Sequence, residues 1–307
     1  MKDKIIYYIL TIIMNLIGLI PRNIGKVFGD FLGLIWFKID KRHRDLTLES
    51  ICLSLGRNSN NLVKLTQHQE HILAKNIFKN IAGMIFELGW AFRLKREELP
   101  KYFKIIGLEN LKQAYKKDKG VLVILCHIGN WELLVASIAL TGYKSSAIYR
   151  KLDFEPLERL TLEMRQKYGT RMIPLKGATK KIEERLLDGE LVGTLMDQSV
   201  DPWWYKGVFV DFFGRATCTT KGVASLVLKT GTTVVPAYII REGFNHVMYF
   251  EPEIPTVYTG DKIKDIEINT QNYTSAIESI VRRYPDQWFW IHNRWKFKNF
   301  SLLPKQQ

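Results

Sequence analysis

Two patterns of apolar residues divide this chain near residue 100. Between residues 40 and 98, apolar side chains recur at helical spacing, as at Ile77, Ile81 and Ile85, and no proline interrupts them. From residue 104 onward, short apolar runs alternate with amphipathic segments. The pattern therefore predicts a helical region at 40–98 and an α/β region at 104–297.

The short apolar runs have the length of strands. Val121 to Leu125 is apolar at every position, which is typical of a central parallel strand that is buried on both faces. Strands are predicted at 105–107, 121–125, 146–149, 172–174, 191–196, 208–212, 233–240 and 247–250. Helices are predicted between them at 131–140, 155–168, 178–187 and 219–229. This alternation predicts an α/β sheet flanked by helices.

The amino-terminal residues carry two further apolar stretches. The first, Ile5 to Ile20, is interrupted only by Thr11 and Asn15. As a helix, its 16 residues would span about 24 Å, which is shorter than a hydrocarbon core of ~30 Å. The second stretch, Val27 to Ile39, is followed by a basic run at 41–44.

Three arrangements fit this amino terminus: a short membrane span, a helix in the membrane interface, or a buried core helix. The adjacency of the two stretches and their basic flanks favour membrane contact. We therefore predict a membrane-anchoring helical region at 1–39 and a single domain at 40–307. If the first stretch spans, the basic residues after it place the domain in the cytoplasm.

Composition narrows the classes of partner. Lys and Arg number 45 against 31 acidic residues, which gives a formal charge of +14 and favours acidic partners such as anionic lipid or an acidic protein. The three cysteines are widely spaced, so neither a disulfide framework nor a cysteine zinc site is predicted. No nucleotide-binding glycine loop is present either, and we predict no metal and no cofactor.

The best candidate for chemistry follows the central strand. His127 stands just after Val121–Leu125, Gly129 allows a tight turn, and Glu132 falls in the first turn of the next helix. Active sites of open α/β sheets gather at such strand ends. We predict that Glu132 accepts a hydrogen bond from one ring nitrogen of His127, so that the other nitrogen accepts a proton. Spacing alone fits equally well with a structural histidine and an ordinary first-turn acid.

No nucleophile accompanies this histidine. The sequence has no nucleophile elbow, and Cys126 is expected to face away from His127 because neighbouring strand residues point to opposite faces. If His127 is catalytic, it is therefore expected to deprotonate a substrate hydroxyl directly.

The segment His127 to Glu132 resembles the His-x4-acid motif of glycerolipid acyltransferases, and its Gly-Asn-Trp-Glu form is similar to the bacterial late acyltransferases of lipid A biosynthesis. The similarity continues in the order of that family over most of 104–297. It includes Tyr149-Arg150, Arg165 with Gly169, Met196-Asp197-Gln198, Gly207–Val210, Phe212–Arg215, Val235–Ala237 and Pro285–Lys296.

The resemblance implies a mixed sheet and acyl transfer from an acyl-carrier-protein thioester to a hydroxyl of a lipid A precursor. It also implies work at the cytoplasmic face of the bacterial inner membrane, with His127 and Glu132 as the catalytic residues. Substrate-binding residues implied with less weight are Arg165, which would hold a phosphate or another anion, and Asp197, Arg150, Arg215 and Asn130. The alternative for Arg165 and Asp197 is an ion pair that joins two elements.

Other interpretations stay open at this point. The acceptor is alternatively a lysophospholipid or another glycolipid, and the donor a coenzyme A thioester. In a different class, the chain is a non-catalytic basic protein that binds membranes. Aromatic and basic residues interleave at 203–206 and 288–297, where lipid contact is favoured over nucleic acid because no nucleic-acid module is recognisable.

Overall fold

A seven-stranded mixed sheet organises the protein. The structure is a computed structural model that describes residues 2–59, 62–117, 119–202 and 207–296. The strands are β1 (Phe103–Ile106), β2 (Val121–Leu125), β3 (Ser145–Tyr149), β4 (Arg171–Pro174), β5 (Leu191–Leu195), β6 (Val208–Asp211), β7 (Ala216–Thr219), β8 (Thr233–Glu242) and β9 (Asn245–Phe250). The sheet order is β1-β9-β8-β2-β5-β3-β4, and β6 and β7 form a separate antiparallel pair. Only β8 and β9 are antiparallel neighbours within the seven-stranded sheet.

Helices cover both faces of this sheet. They are α1 (Lys2–Ile17), α2 (Arg22–Ile39), α3 (Lys41–Ser54), α4 (Gln67–Arg93), α5 (Leu99–Tyr102), α6 (Leu108–Tyr115), α7 (Leu134–Ala139), α8 (Glu155–Gln166), α9 (Ala178–Leu187), α10 (Gly222–Thr230) and α11 (Lys262–Arg283). Short 3₁₀ turns lie at Arg96–Glu98 and Trp131–Leu133. The predicted α/β fold with helical flanks is confirmed.

Strand β2 shows why the sheet is buried on both sides. Val121, Val123 and Leu125 pack into one core together with α6 and α7. The alternate residues Leu122 and Ile124 pack into a second core with α9, α10 and α11. The fully apolar run in the sequence was therefore correctly interpreted as a central strand with two covered faces.

The prediction differs from the structure in several places. The helical region predicted at 40–98 forms two helices: α3 ends at Ser54, and Thr66 and Gln69 form a capping box that starts α4 at Gln67. Helices α5, α6 and α11 and strand β7 were not predicted. The buried side of α11 includes polar residues such as Asn269 and Thr274, so its first turns lack a continuous apolar stripe.

Helices α2 and α4 approach each other at backbone distance. Gly25, Gly29 and Gly33 line the buried side of α2 at intervals of four residues. A Cβ atom added at Gly33 would lie 2.5 Å from Cα of Lys79, and one added at Gly29 would lie 2.7 Å from Cα of Gly83. This contact therefore has no room for any side chain on α2.

Gly33→Ala is expected to destabilise the protein by about 1–3 kcal/mol, because the methyl group forces α2 away from α4. Gly83→Ala on the facing helix is the matched control, since its Cβ meets nothing within 4 Å. The control should be neutral, or stabilise by about 0.5–1 kcal/mol through lower unfolded-state entropy. Denaturant unfolding in detergent, followed by circular dichroism, measures both. Equal losses of unfolding free energy in the two variants would show that the close contact between α2 and α4 does not contribute to stability.

The amino-terminal helices present apolar side chains outward. Within the described residues, no single helix is long and apolar enough to cross a membrane, whereas α1 and α2 pass that test only as a pair bent by 114°. Their exposed large apolar residues include Tyr8, Ile12, Leu16, Val27 and Phe31. Of the three arrangements considered for the amino terminus, the one in which it forms a buried core helix is therefore wrong. The predicted boundary at residue 39 coincides with the end of α2.

Candidate active site

The ends of β2 and β5 bring His127 and Asp197 together. These strands are parallel neighbours, and Leu125 is paired with Leu195 at their carboxyl ends. The amide of Met196 donates to the carbonyl oxygen of Leu125 over 3.1 Å, which carries the pairing past the strand ends. Each candidate residue lies two positions beyond its paired leucine, at the sheet edge where α/β sites form.

The two side chains form a direct hydrogen bond. Nδ1 of His127 lies 2.7 Å from Oδ1 of Asp197. The backbone amide of His127 donates to Oδ2 over 3.0 Å, and Nε1 of Trp288 donates to the same oxygen over 2.7 Å. Because the ionised carboxylate only accepts, Nδ1 carries a proton and Nε2 is the accepting nitrogen.

Burial and charge set the protonation of this pair. Burial alone raises the pKa of the Asp197 carboxyl, but the adjacent His127 ring and the hydrogen bonds outweigh it and hold that pKa below its usual 3.8. For the His127 imidazole, burial lowers the pKa, while the negative charge of Asp197 and its hydrogen bond outweigh burial. The net result is a His127 pKa above 6.5. Asp197 is therefore an anion that makes the ring more basic.

Nε2 of His127 is left for a substrate. Its described neighbour is Nε2 of Gln198 at 3.4 Å, which is a long and therefore weak hydrogen bond. The His127 side chain is 17% exposed, whereas that of Asp197 is 2% exposed. Rings of Trp131 and Phe289 flank the imidazole at centroid distances of 5.1 and 6.2 Å.

The predicted hydrogen bond between Glu132 and His127 is absent from the described contacts, and this prediction is corrected. Both oxygens of Glu132 instead accept from Arg165, whose Nε and Nη2 donate over 2.8 and 2.7 Å. The prediction used closeness along the chain, whereas the parallel pairing of β2 and β5 supplies a different carboxylate to the ring. Glu132 is still near enough for its charge to contribute to the raised pKa of His127.

Arg165 joins α8 to the 3₁₀ turn that carries Glu132. Arg165 was predicted to bind an anion of the substrate. In the structure, two of its three guanidinium nitrogens are already used in the bidentate ion pair with Glu132. Its Nη1 is buried and has no hydrogen-bond partner among the described residues. The alternative of an ion pair joining two elements is thus observed, with Glu132 rather than Asp197 as the acid.

The remaining predicted residues have different surroundings. Asn130 is fully buried and donates to Oε2 of Glu87 over 2.8 Å, so its side chain holds the loop against α4 and does not face a substrate. Arg150 is exposed directly after β3, at the same sheet edge as His127. Arg215 lies in the β6–β7 turn with its guanidinium 4.1 Å from the ring of Trp295, and no described contact joins it to the His127–Asp197 pair.

Two predictions about the loop are confirmed. Gly129 has φ of 61°, and a Cβ atom there would lie 2.2 Å from the carbonyl oxygen of Ile239, so the tight turn requires glycine. Cys126 is buried in the core on the side of β2 that carries Leu122 and Ile124. Burial also raises the pKa of its thiol well above the usual value, which excludes a thiolate nucleophile in this position.

A carboxyl-terminal segment completes the site, and the sequence did not predict this role. The carbonyl oxygen of Gln287 accepts from the amide of Gly129 over 3.0 Å, and the amide of Phe289 donates to the carbonyl oxygen of His127 over 2.9 Å. Trp288 adds its indole bond to Asp197. The tryptophan-rich composition was visible, but no sequence pattern shows which residues it contacts. The other aromatic run, 203–206, lies outside the described residues.

Comparison with known families matches nearly the whole chain. The model for "Bacterial lipid A biosynthesis acyltransferase" matches residues 1–297, which includes the two amino-terminal helices as well as the sheet.

Individual relatives share about a quarter of their residues with this chain. The lipid A biosynthesis palmitoleoyltransferase of Escherichia coli is 26% identical over 281 residues, covering 90% of this chain and 86% of the relative. The lipid A biosynthesis lauroyltransferase of the same organism is 23% identical, covering 92% and 89%. A phosphatidylinositol mannoside acyltransferase of Mycolicibacterium smegmatis is 26% identical, covering 67% of each chain.

Proposed function

Because the chain belongs to the family of bacterial lipid A biosynthesis acyltransferases and is therefore an acyltransferase with a lipid acceptor, we propose that it acylates a hydroxyl of a lipid A precursor. The donor in this proposal is an acyl-carrier-protein thioester, and His127 is the general base. Membership of this enzyme family sets aside the interpretation as a non-catalytic membrane-binding protein.

The contact between His127 and Asp197 carries the proposed mechanism. Nδ1 of His127 lies 2.7 Å from the buried carboxylate of Asp197, so the ring proton stays on Nδ1. Nε2 is then an acceptor whose described hydrogen bond, to Gln198, is weak. An imidazole held in this tautomer is suited to accept the proton of a hydroxyl group. Asp197 stabilises the imidazolium that forms, because its negative charge lies against the ring.

The proposed reaction needs no further nucleophile. As the acceptor hydroxyl oxygen attacks the thioester carbonyl carbon, its proton passes to Nε2 of His127. The tetrahedral oxyanion then collapses, the carbon–sulfur bond breaks, and the imidazolium returns the proton to the leaving thiolate. The products are an ester and a free thiol, and His127 is neutral again.

Charge on the oxyanion requires donors near the ring. The amide of Gly129 lies in the loop after His127, but it already donates to the carbonyl oxygen of Gln287 and is therefore not free in this structure. Arg165 Nη1 has no described acceptor and belongs to a cation next to Glu132 and His127. We propose that this nitrogen supports the oxyanion or an anionic group of the acceptor, with Glu132 holding the guanidinium in place.

Net charge supports an acidic donor. The excess of 45 basic over 31 acidic residues favours encounter with an acidic carrier protein, and Arg150 adds an exposed cation at the sheet edge next to the site. Transfer from acyl carrier protein should therefore slow as salt rises, whereas transfer from a coenzyme A thioester should respond less.

Exposed apolar residues on α1 and α2 support contact with a membrane. The bent pair presents side chains such as Val27 (67% exposed) and Phe31 (60% exposed), which water alone would solvate poorly. We propose that both helices lie in the membrane interface. A position at the cytoplasmic face of the inner membrane is supported by the basic run after α2 and by the proposed carrier-protein donor.

A second acceptor class has its own support. Phosphatidylinositol mannoside acyltransferases match the chain as closely in identity as the lipid A enzymes do, so a mannosylated glycolipid is the second candidate. Purified protein would be offered a lipid A precursor, phosphatidylinositol mannoside and a lysophospholipid, each with carrier-protein and coenzyme A thioesters. Mass spectrometry should show one added acyl chain mainly on the lipid A precursor. Preferential acylation of either rival would move the acceptor assignment to that lipid.

Trp288→Phe is expected to shift the pH profile of kcat/KM. The variant removes the indole donor to Asp197, so the carboxylate binds the protonated ring more strongly and the pKa of His127 rises further. The acid limb should therefore move to higher pH. Trp290→Phe is the matched control, because Trp290 is equally buried and donates over the same 2.7 Å, but to the carbonyl oxygen of Pro285. Both variants should lose thermal stability, and identical pH profiles would contradict the role given to Trp288.

A further inference from the structure

We propose that a basic cavity at the start of α2 binds the phosphate of an anionic membrane lipid. The proposal concerns a site separate from the His127–Asp197 pair and rests on the membrane contact proposed for α1 and α2. The cavity measures about 80 Å³ and lies between the first half of α2, the middle of α4 and the β8–β9 turn. Since one water needs roughly 10–15 Å³, this volume admits a group larger than a single water molecule.

The charges that line the cavity do not cancel. Four cations and two carboxylates contribute to its wall. Lys26 pairs with Asp30 over 2.7 Å, and Nη2 of Arg241 donates to Glu87 over 2.9 Å. These pairs use both carboxylates. Two cations, Arg22 and Lys79, form no ion pair among the described residues, although Glu87 is near enough for its charge to act on Arg22.

The guanidinium of Arg22 is held in place by aromatic rings. Its carbon Cζ lies 4.2 Å from the ring centroid of Trp90, 5.1 Å from that of Tyr102 and 5.8 Å from that of Phe244. No hydrogen-bond acceptor for it occurs within the described parts of the chain. A guanidinium that lies against aromatic rings, and whose N–H groups have no described acceptors, is suited to a phosphate.

Further unpartnered donors lie at the same place. His246 lines the cavity at 1% exposure, and its Nε2 lies 4.0 Å from Oε1 of Glu87, too far for a hydrogen bond. Neither ring nitrogen has a hydrogen-bond partner among the described residues. Burial lowers the pKa of this ring to about 4, so near neutral pH it is uncharged and has one N–H to donate. Helix α2, which is 18 residues long, also begins here at Arg22, and its N-cap residue Pro21 provides no side-chain hydrogen bond to the first amides.

The surroundings favour a lipid over a soluble phosphate. Phe244 lines the cavity and is 48% exposed, and Phe28, which is 49% exposed, stacks on the lining residue Phe86 with ring centroids 6.2 Å apart. A phosphate seated beside Arg22 would therefore have apolar surface next to it, where the acyl chains of the same molecule can lie. A soluble anion would leave this apolar surface uncovered.

Flotation of the full-length protein with phosphatidylcholine vesicles containing phosphatidylglycerol tests the proposal. Arg22→Gln and Lys79→Gln should each weaken vesicle binding more than about tenfold, because each removes a directed, charge-assisted contact. The matched control is Lys38→Gln, an exposed lysine at the far end of the same helix. It should cost about fivefold or less, the effect of one diffuse surface charge.

Two results would overturn the proposal. If both cavity variants lose no more affinity than Lys38→Gln, the attraction is diffuse and there is no phosphate site. If millimolar inorganic phosphate displaces the vesicles from the unmodified protein, the cavity is a free-phosphate site and the lipid assignment is wrong. Thermal unfolding establishes whether each variant is folded. If Arg22→Gln does not fold, the vesicle binding of Lys79→Gln decides the test. Because the readout is vesicle binding, failure here leaves the role of His127 untouched.

Discussion

His127→Ala is expected to lower kcat/KM for acyl transfer by about 10²–10⁴-fold, the range that a positioned general base contributes. The variant removes the nitrogen that accepts the hydroxyl proton, while the groups that would bind the acyl chain stay in place. KM is therefore expected to change less than kcat. A discontinuous assay with a radiolabelled acyl donor measures both.

The unmodified enzyme should also lose kcat/KM as the pH falls. His127 must be neutral to accept a proton, and the pKa of its ring lies above the ordinary 6.5 because of Asp197. The protonated, inactive form therefore persists to higher pH than for an isolated histidine. His71→Ala, at the start of α4, is the control and should behave as the unmodified protein does. A folded His127→Ala variant with near-normal activity would end the proposal of a general base.

Asp197→Asn is the second change with a large expected effect. An asparagine can donate its own N–H to Nδ1, which places the ring proton on Nε2 and removes the acceptor needed for catalysis. In serine proteases, a wrong tautomer of this type costs about 10⁴-fold. We expect a loss of at least about 10²-fold here. Loss of the negative charge also lowers the pKa of His127, so the acid limb of the remaining activity should move to lower pH.

Glu132 and Arg165 provide the comparison for Asp197. If Glu132 acts through its bidentate pair with Arg165, then Glu132→Gln and Arg165→Gln should impair the same interaction. The double variant should then be no worse than the poorer single variant. Asp197→Asn combined with either change should instead multiply the losses. If Asp197→Asn stays active while Glu132→Gln is inactive, the carboxylate that orients the His127 ring through Nδ1 is Glu132 and not Asp197.

The sequence predicted local features of the site better than its long-range contacts. His127 and Asp197 were both identified, one from its strand end and the other from the family resemblance. Their hydrogen bond was not predicted, because it depends on β5 lying next to β2 although β3 and β4 come between them in the chain. Sequence spacing instead suggested Glu132, only five residues from His127. The role of Trp288 depends on a contact across 91 positions, for which one sequence holds no signal.

The fold shows the same limit. The uninterrupted apolar run of β2 predicted a strand covered on both faces, and the structure confirms this. Helix α11 was missed because Asn269 and Thr274 are buried through specific polar contacts, such as the bond from Nδ2 of Asn269 to the carbonyl oxygen of Val257. Polar residues satisfied in this way do not produce the apolar stripe by which an amphipathic helix is recognised.

The contacts of Gln287, Trp288 and Phe289 have a consequence for synthesis on the ribosome. His127 leaves the exit tunnel long before these residues are made, so a nascent or truncated polypeptide has the imidazole without the indole that fastens its carboxylate. In the proposed mechanism, a polypeptide therefore becomes competent for acyl transfer only after Phe289 has been made and has folded onto the loop that carries His127. Under the same proposal, polypeptides that stop before Gln287 would transfer acyl chains poorly.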